Sequence, residues 1–346
     1  MTSAAPGVQD TAPALAPDGP LEVLQRYGEH SSGFLTLNDA IEHFTTPGVD
    51  GYVAYRTAGA RDLLQLCGPV ARPDERSALL DAFLRWAGSG RRRIVAVQLT
   101  RADAALYAER GFVVNQFGAS YSIEVARFTL DGTRFMRARN KIKRAARAGV
   151  AIREWPWEEQ QAPAAQRSLA EIDRSWLRSK GAHARELAFM VGERGGPAAH
   201  ARRLFVAVRD GEPIAYATYS PCFGAHPGWL YDLTRRRPDA PAGTIELLFS
   251  TALERLREEG AAWLHLGLTP MTRLDPANEP RQGSSALVAA VLRLLERHGD
   301  AIYPARSQEQ FKLKWAPHVI EPEYIGFAPR LSAIALWKLL RTTRAI

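Results

Sequence analysis

One stretch of the sequence sets an acid beside a cluster of bases. Asp232 closes an apolar run, Trp229-Leu230-Tyr231, and Arg235, Arg236 and Arg237 follow within five residues. A Pro/Ala/Gly turn at 240–243 then opens a stretch, 244–256, with the spacing of an amphipathic helix. In α/β proteins, charged groups at the carboxyl end of a strand, ahead of a Gly-containing turn and a helix N-terminus, make anion sites. The same run also fits a solvated loop. A carboxylate beside guanidinium groups, with a reference pKa of about 3.9, is expected to stay ionised. Such a group orients a cation or a hydroxyl better than it takes up a proton.

The elements that position this stretch are legible from periodicity and punctuation. Helical spacing marks 21–27, 73–86, 101–110 behind a Thr100 cap, 163–178 with Pro163 at its first position, 284–298 and 330–344. Two hairpins are predicted, 51–57 with 62–67, and 203–208 with 213–219 across Asp210-Gly211. Further strands are expected at 93–99, 111–114, 121–125, 150–155, 228–233, 262–268, 310–315 and 319–327.

Between the halves lies 133–149, with seven bases: Arg134, Arg137, Arg139, Lys141, Lys143, Arg144 and Arg147. It reads as a helix with an inner Met136/Ile142 stripe that ends at Gly149. The order hairpin, helix, strand, helix, strand occurs over 51–125 and again over 203–327. This predicts an α/β (α+β) fold with mixed sheets, built as tandem Gcn5-related acetyltransferase-like lobes joined by the basic helix. The expected division is a flexible tail at 1–20, a first lobe at 21–132, the connecting helix at 133–149 and a catalytic lobe at 150–346.

Lys and Arg outnumber Asp and Glu by 45 to 37, giving +8 and a pI near 9.7, which favours an anionic partner. Cys67 and Cys222 form no CxxC pattern, and no metal-ligand spacing occurs. The first 20 residues have no apolar signal core, and no run approaches the ~18 apolar residues of a membrane span. The expectation is a cytoplasmic chain, peripheral at most to the inner face of a membrane. No GxSxG elbow, HExxH pair or Walker loop is present, so neither a covalent nucleophile nor a metal hydroxide is indicated.

Several segments resemble the soluble domain of the bacterial aminoacyl-phosphatidylglycerol synthases, the multiple-peptide-resistance lysyltransferase family. They are DRSWLRSKGAHARELAFMVG (173–192), LFVAVRDGEPIAYATYSP (204–221), YDLTRRRPDAPAGTIELLF (231–249), HLGLTPM (265–271) and FKLKWAP (311–317). In the N-terminal half the likeness runs through GYVAYR, LLQLCGP, ERGFVVNQFG and RNKIKRAARAGV, so it covers roughly 21–330. The sequence departs from that pattern in carrying no membrane flippase half. It also has Trp315 where Phe is usual, and HVIEPEY (318–324) in place of the motif's Trp-Pro-Arg-Tyr tail.

The resemblance implies a tandem acyltransferase-like fold and an aminoacyl-tRNA co-substrate with no other cofactor. It also implies transfer of the amino acid to a hydroxyl, usually of a lipid such as phosphatidylglycerol, or to an amine or small molecule. Carried over residue by residue, it makes Asp232 and Arg235 the catalytic pair, with Asp232 orienting and Arg235 binding phosphate. Lys312 and Lys314, two apart and on one face if the segment is a strand, become anion-binding groups, with Arg306 beside them. Glu246 serves as a cap partner or a substrate contact. Trp176 and Lys180, at i and i+4, share a helical face open to substrate.

The natural tRNA surface is the basic helix, through Arg137, Arg139, Lys141, Lys143, Arg144 and Arg147, although an anionic membrane would attract it equally. The 240–243 turn lacks the R/Q-x-x-G-x-G/A spacing of a pyrophosphate loop, which argues against coenzyme A. The closing helix sets Leu331, Ile334, Leu336, Trp337, Leu339 and Leu340 against Arg330, Lys338, Arg341 and Arg344. That pattern fits docking on its own domain or lying in a membrane interface.

Overall fold

The computed structural model describes residues 19–180, 189–298, 305–331 and 333–342. All but the last two residues of the expected tail lie outside these, as does Arg344. In the first half, helix α1 (Pro20–Tyr27) precedes strands β1 (Glu42–Phe44), β2 (Gly51–Thr57), β3 (Asp62–Leu66) and β4 (Val70–Ala71). Helix α2 (Arg76–Ser89), strand β5 (Arg93–Leu99), helix α3 (Arg101–Ala108) and strand β6 (Val113–Glu124) follow. The basic helix is α4 (Met136–Arg147). After it come β7 (Ala151–Trp155), α5 (Trp157–Gln161), α6 (Pro163–Ser179), β8 (Arg203–Arg209), β9 (Glu212–Cys222) and β10 (Gly228–Arg236). The remaining elements are α7 (Thr244–Glu258), β11 (Trp263–Pro270), α8 (Ala286–His298), α9 (Ala305–Leu313), β12 (Val319–Ala328) and α10 (Ala333–Thr342).

Local chemistry accounts for many of these boundaries. Thr100 and Asp103 form a reciprocal capping box at the start of α3. Asp210 and Gly211 both adopt positive φ (52° and 83°), as the tight turn of the β8–β9 hairpin requires. Gly149, at φ 80°, ends the turn that follows α4.

Three expectations need correction. The predicted short strands at 111–114 and 121–125 are one twelve-residue strand, β6, because the intervening Asn115 and Gln116 are buried and bonded within the protein. Residues 310–315 are not a strand: Gln310 to Leu313 end α9, and Trp315 follows in a turn. The inner face of α4 is Ala138 and Ala145, while Met136 is 53% exposed, because α4 packs closely on α7 and only small side chains fit between them.

The strands form one sheet in the order β1-β2-β3-β5-β12-β6-β11-β10-β9-β8-β7, with β4 paired to β2. Each half contains a parallel pair bridged by a helix, β3 with β5 across α2 and β10 with β11 across α7. The last strands of the two halves are exchanged. β6 pairs with β11 of the second half, β12 pairs with β5 of the first, and the two exchanged strands pair with each other at the centre. The order is therefore near-symmetric about the β12–β6 seam.

The parallel pairs differ in one respect. β3 and β5 are in register over five residues, Asp62–Leu66 with Arg93–Val97. β10 and β11 pair only over Gly228–Leu230 with Trp263–His265, although each strand continues for several residues more. The second pair opens into a notch.

Candidate functional site

A cavity of about 540 Å³ occupies this notch. Its walls are Leu230–Arg235 of β10, Leu266–Leu268 of β11, Trp176 of α6, the end of α9, and Phe117, Ile325 and Phe327 of the central strands. Most of the lining is apolar. Asp232, Arg235, Gln98 and Lys312 bring the chemistry.

Asp232 does not close its strand. Tyr231 is opposite Tyr219 and Leu233 is opposite Thr218, so Asp232 is the extra residue of a bulge within β10. The bulge breaks the alternation of the strand and seats the carboxylate against β9, where it accepts hydrogen bonds from Thr218 Oγ1 and Ser220 Oγ. Gly192 fits here because a Cβ at that position would collide with the Asp232 side chain. The nearest guanidinium is that of Arg202, with Nε 3.8 Å from Asp232 Oδ2. Arg202 is itself anchored on Asn38 Oδ1 (2.5 Å) and the Gly195 carbonyl (2.8 Å). Burial outweighs these partners and raises the Asp232 carboxyl above its ordinary value. The guanidinium beside Asp232 is therefore that of Arg202 rather than Arg235, and the carboxyl is raised rather than held at its ordinary value.

Arg235 is buried, and its guanidinium stacks 3.9 Å from the centre of the Trp176 ring, with Nη1 donating to the Thr234 carbonyl. Lys180 Nζ lies 5.3 Å from the same indole, so the expected Trp176–Lys180 face exists, with the lysine exposed. Arg236 is also exposed, and Arg237 pairs with Asp239 at 3.2 Å.

Lys312 and Lys314 do not share a face, because the segment is helical and then turns. Lys312 is buried, donates to the Gly267 and Leu268 carbonyls at 2.8 and 2.9 Å, and lines the cavity. Those carbonyls stand at a bulge in β11, where Gly267 takes φ 71°. Burial drags the Lys312 ammonium down to about 7, against the pull of the Glu323 carboxylate. Glu323, on β12, is buried near Ser120 and 3.7 Å from His30 Nε2, and burial pushes its carboxyl up to about 8. An amine near neutrality on the wall of an apolar cavity is the arrangement expected of a general base.

Lys314 points elsewhere. With Lys141 of α4 it grips Glu246 Oε1, at 3.1 and 3.0 Å respectively. Burial alone would raise Glu246, but Lys314 and Lys141 together hold it below the usual carboxylate range. Glu246 is thus a clamp between α4, α7 and the end of α9. Arg306 turns away from the cavity, donating to the Arg297 carbonyl at 2.6 Å on the exposed surface. On α4, Arg137, Lys141, Lys143, Arg144 and Arg147 are exposed, whereas Arg139 folds back onto the Leu130 and Gly132 carbonyls.

Residues 21–327 match the family model described as phosphatidylglycerol lysyltransferase, C-terminal. The chain belongs to this family. It is 26% identical over 223 residues to the phosphatidylglycerol lysyltransferase of Bacillus subtilis, a match covering 63% of this chain and 25% of that protein. It is 25% identical over 253 residues to the lysylphosphatidylglycerol biosynthesis bifunctional protein LysX of Mycobacterium ulcerans, covering 72% and 22%. The chain therefore spans about a quarter of the length of these relatives.

The fold is that of the C-terminal domain of a putative lysylphosphatidylglycerol synthetase from Agrobacterium fabrum (TM-score 0.75, 20% identity, 94% of this chain and 96% of that one). It is also that of L-PGS from Bacillus licheniformis (TM-score 0.75, 19% identity, 96% and 98%). The family and the mixed α/β class expected from the sequence are borne out.

Three polar groups of the site are not marked by the sequence patterns above. Gln98, in the apolar run RIVAVQL, adopts φ 54° at a bulge opposite β12 and lines the cavity. Glu323 breaks the strand-like run 319–327, and Arg202 immediately precedes β8. Gln98 is the lone polar residue of an apolar run, which is a signal the sequence carries; Glu323, two residues after the exposed Glu321, and Arg202, beside Arg203, carry no such mark.

Proposed function

We propose that the chain transfers an aminoacyl group from aminoacyl-tRNA to the hydroxyl of a lipid, with phosphatidylglycerol as the foremost acceptor. The observation that carries this reading is the placement of a buried carboxylate, Asp232, and a buried amine, Lys312, on the wall of an otherwise apolar cavity. An aminoacyl ester is already activated, so positioning and proton management supply most of what the reaction needs.

In this reading Asp232 accepts a hydrogen bond from the α-ammonium of the donor or from the attacking hydroxyl, and Arg235, braced by Trp176, holds a phosphate. The acceptor oxygen attacks the ester carbonyl while its proton passes to Lys312. Collapse of the tetrahedral intermediate breaks the bond to the ribose oxygen, which takes that proton back from Lys312. No net proton is consumed. The exposed bases of α4 supply salt-dependent contacts to tRNA phosphates, and contact with an anionic membrane is peripheral. Among the described residues, no helix is long and apolar enough to cross a membrane.

The packing at α7 weighs against acyl-coenzyme A as donor. Gly243, just ahead of α7, sits so close to the Lys141 carbonyl that a Cβ would collide with it. The basic helix thus covers the helix N-terminus that a pyrophosphate would need.

Incubation with a mixture of labelled aminoacyl-tRNAs and phosphatidylglycerol in detergent tests the proposal. The expected product is an RNase-sensitive aminoacyl lipid; no transfer from any aminoacyl-tRNA would overturn the reading.

A further inference from the structure

The outer face of α8 is apolar where a surface helix ordinarily carries charge. Leu287, Val291 and Leu294, at i, i+4 and i+7, are 68%, 43% and 59% exposed, and Ala286 just before them and Ala290 between them are exposed as well. On the inner side, Val288 and Leu292 pack into the core that holds Phe117, Ile325 and Phe327. Helix α10 joins the same core through Leu339 and leaves Trp337 47% exposed. Leu331, just ahead of α10, is 38% exposed.

Two observations indicate what covers this face. First, Val291 and Leu331 also line the cavity, so the cavity reaches the surface here. Second, exposed arginines stand at its margin: Arg297 three residues past Leu294, Arg330 beside Leu331, and Arg341 stacked 4.8 Å from the Trp337 ring. An apolar stripe rimmed by arginine and tryptophan has the composition of an interfacial helix seated among acyl chains, with its cations at the phosphates. The apolar stripe is also small beside the ~800 Å² per partner that a stable dimer buries.

We propose that this face docks on an anionic phospholipid bilayer, with Leu287, Val291 and Leu294 inserted at the headgroup–acyl boundary. A lipid then passes from the bilayer into the cavity without crossing water. The purpose of that lipid rests on the function proposed above; the docking itself does not.

Co-sedimentation with vesicles of phosphatidylcholine alone, and of phosphatidylcholine mixed with phosphatidylglycerol or with phosphatidylserine, tests it. The full chain is expected to bind both anionic mixtures and to release with salt. The triple variant Leu287→Ser, Val291→Ser, Leu294→Ser is expected to lose roughly tenfold or more in partitioning, with an unchanged melting midpoint. Equal binding by variant and parent, or no binding by the parent, would overturn the proposal. So would a fall of several degrees in the variant's midpoint, which would mean that the chain's own residues cover the stripe. A parent dimer made monomeric by the variant would assign the face to a second copy and overturn it too.

Transfer assayed with a detergent-dispersed acceptor separates the two readings. Vesicle binding without transfer would sink the enzymatic function alone, and transfer without vesicle binding would sink the docking alone.

Discussion

Arg202 Nε lies 3.8 Å from Asp232 Oδ2, and both side chains are almost wholly removed from solvent. The pair joins the residue before β8 to the bulge of β10. Through Asn38, it also ties the candidate catalytic carboxylate to the N-terminal half of the chain. Burial nevertheless leaves Asp232 less acidic than an exposed aspartate.

Its sign is informative. A carboxyl raised in the folded state binds its proton more tightly there than when unfolded, so ionisation costs stability. That cost is absent below the unfolded pKa and complete above the folded one. Asp232→Asn is therefore expected to keep a melting midpoint at pH 7 no lower than that of the parent, while transfer falls at least about a hundredfold. Calorimetry beside the transfer assay checks both, and undiminished transfer would remove Asp232 from the site.

Lys312 should set the pH dependence. Its folded value of about 7 lies below the ~10.4 of an unfolded lysine, so the unfolded chain holds more protons between the two and stability rises with pH across that window. If the free amine is the base, the transfer rate climbs through about pH 7 to a plateau. Lys312→Met is expected to cost on the order of 10²–10⁴ in rate and to flatten that limb. An ionised Glu323 would pull Lys312 upward, but its own carboxyl, raised to about 8, is largely neutral across that limb, so Glu323→Gln should leave the limb near pH 7 with a measurable plateau rate. A limb moved well below pH 7 in Glu323→Gln would show that Glu323 is ionised there.

The Glu246 clamp predicts a structural effect. Glu246→Ala leaves Lys141 and Lys314 facing one another without their shared carboxylate. Allowing for the exposed Lys141, the loss is roughly 1–2 kcal/mol. Because partners hold Glu246 low, its contribution is present above the unfolded pKa and lost as pH falls through the folded one. Chemical denaturation at pH 7 and pH 3 should show a gap between parent and variant that closes in acid.

Charge reversal at Lys143, Arg144 and Arg147 tests the basic helix. All three are exposed, so the melting midpoint should hold. If each meets a phosphate, affinity for tRNA drops and the slope of log K against log salt becomes shallower by about two to three. An unchanged slope would move the tRNA surface elsewhere.

Features set by local chemistry are legible in the sequence, whereas those decided by tertiary pairing are not. Thr100, Asp210-Gly211 and Gly149 each announce a boundary through their own backbone preferences, and each stands where expected. The stretch around Asp232 stands out in the sequence because acid and base cluster there. Its bulge does not, since the alternation of β10 breaks only in register with β9. Arg202 lies thirty residues before its partner, with no charge pattern joining them. The FKLKW segment alternates like a strand, yet Phe311 and Trp315 are four apart, which suits a helix equally well. Packing of Trp315 on Phe249, with ring centres 4.1 Å apart, goes with the second choice.

The exchange of β6 and β12 has a consequence for how the protein is made. Until residues 319–328 have left the ribosome, β5 and β6 flank a gap with two open hydrogen-bonding edges, and Glu323 does not yet act on Lys312. Assembly of the notch is therefore a late event of synthesis, and a chain cut short before β12 presents those edges to whatever strand comes near.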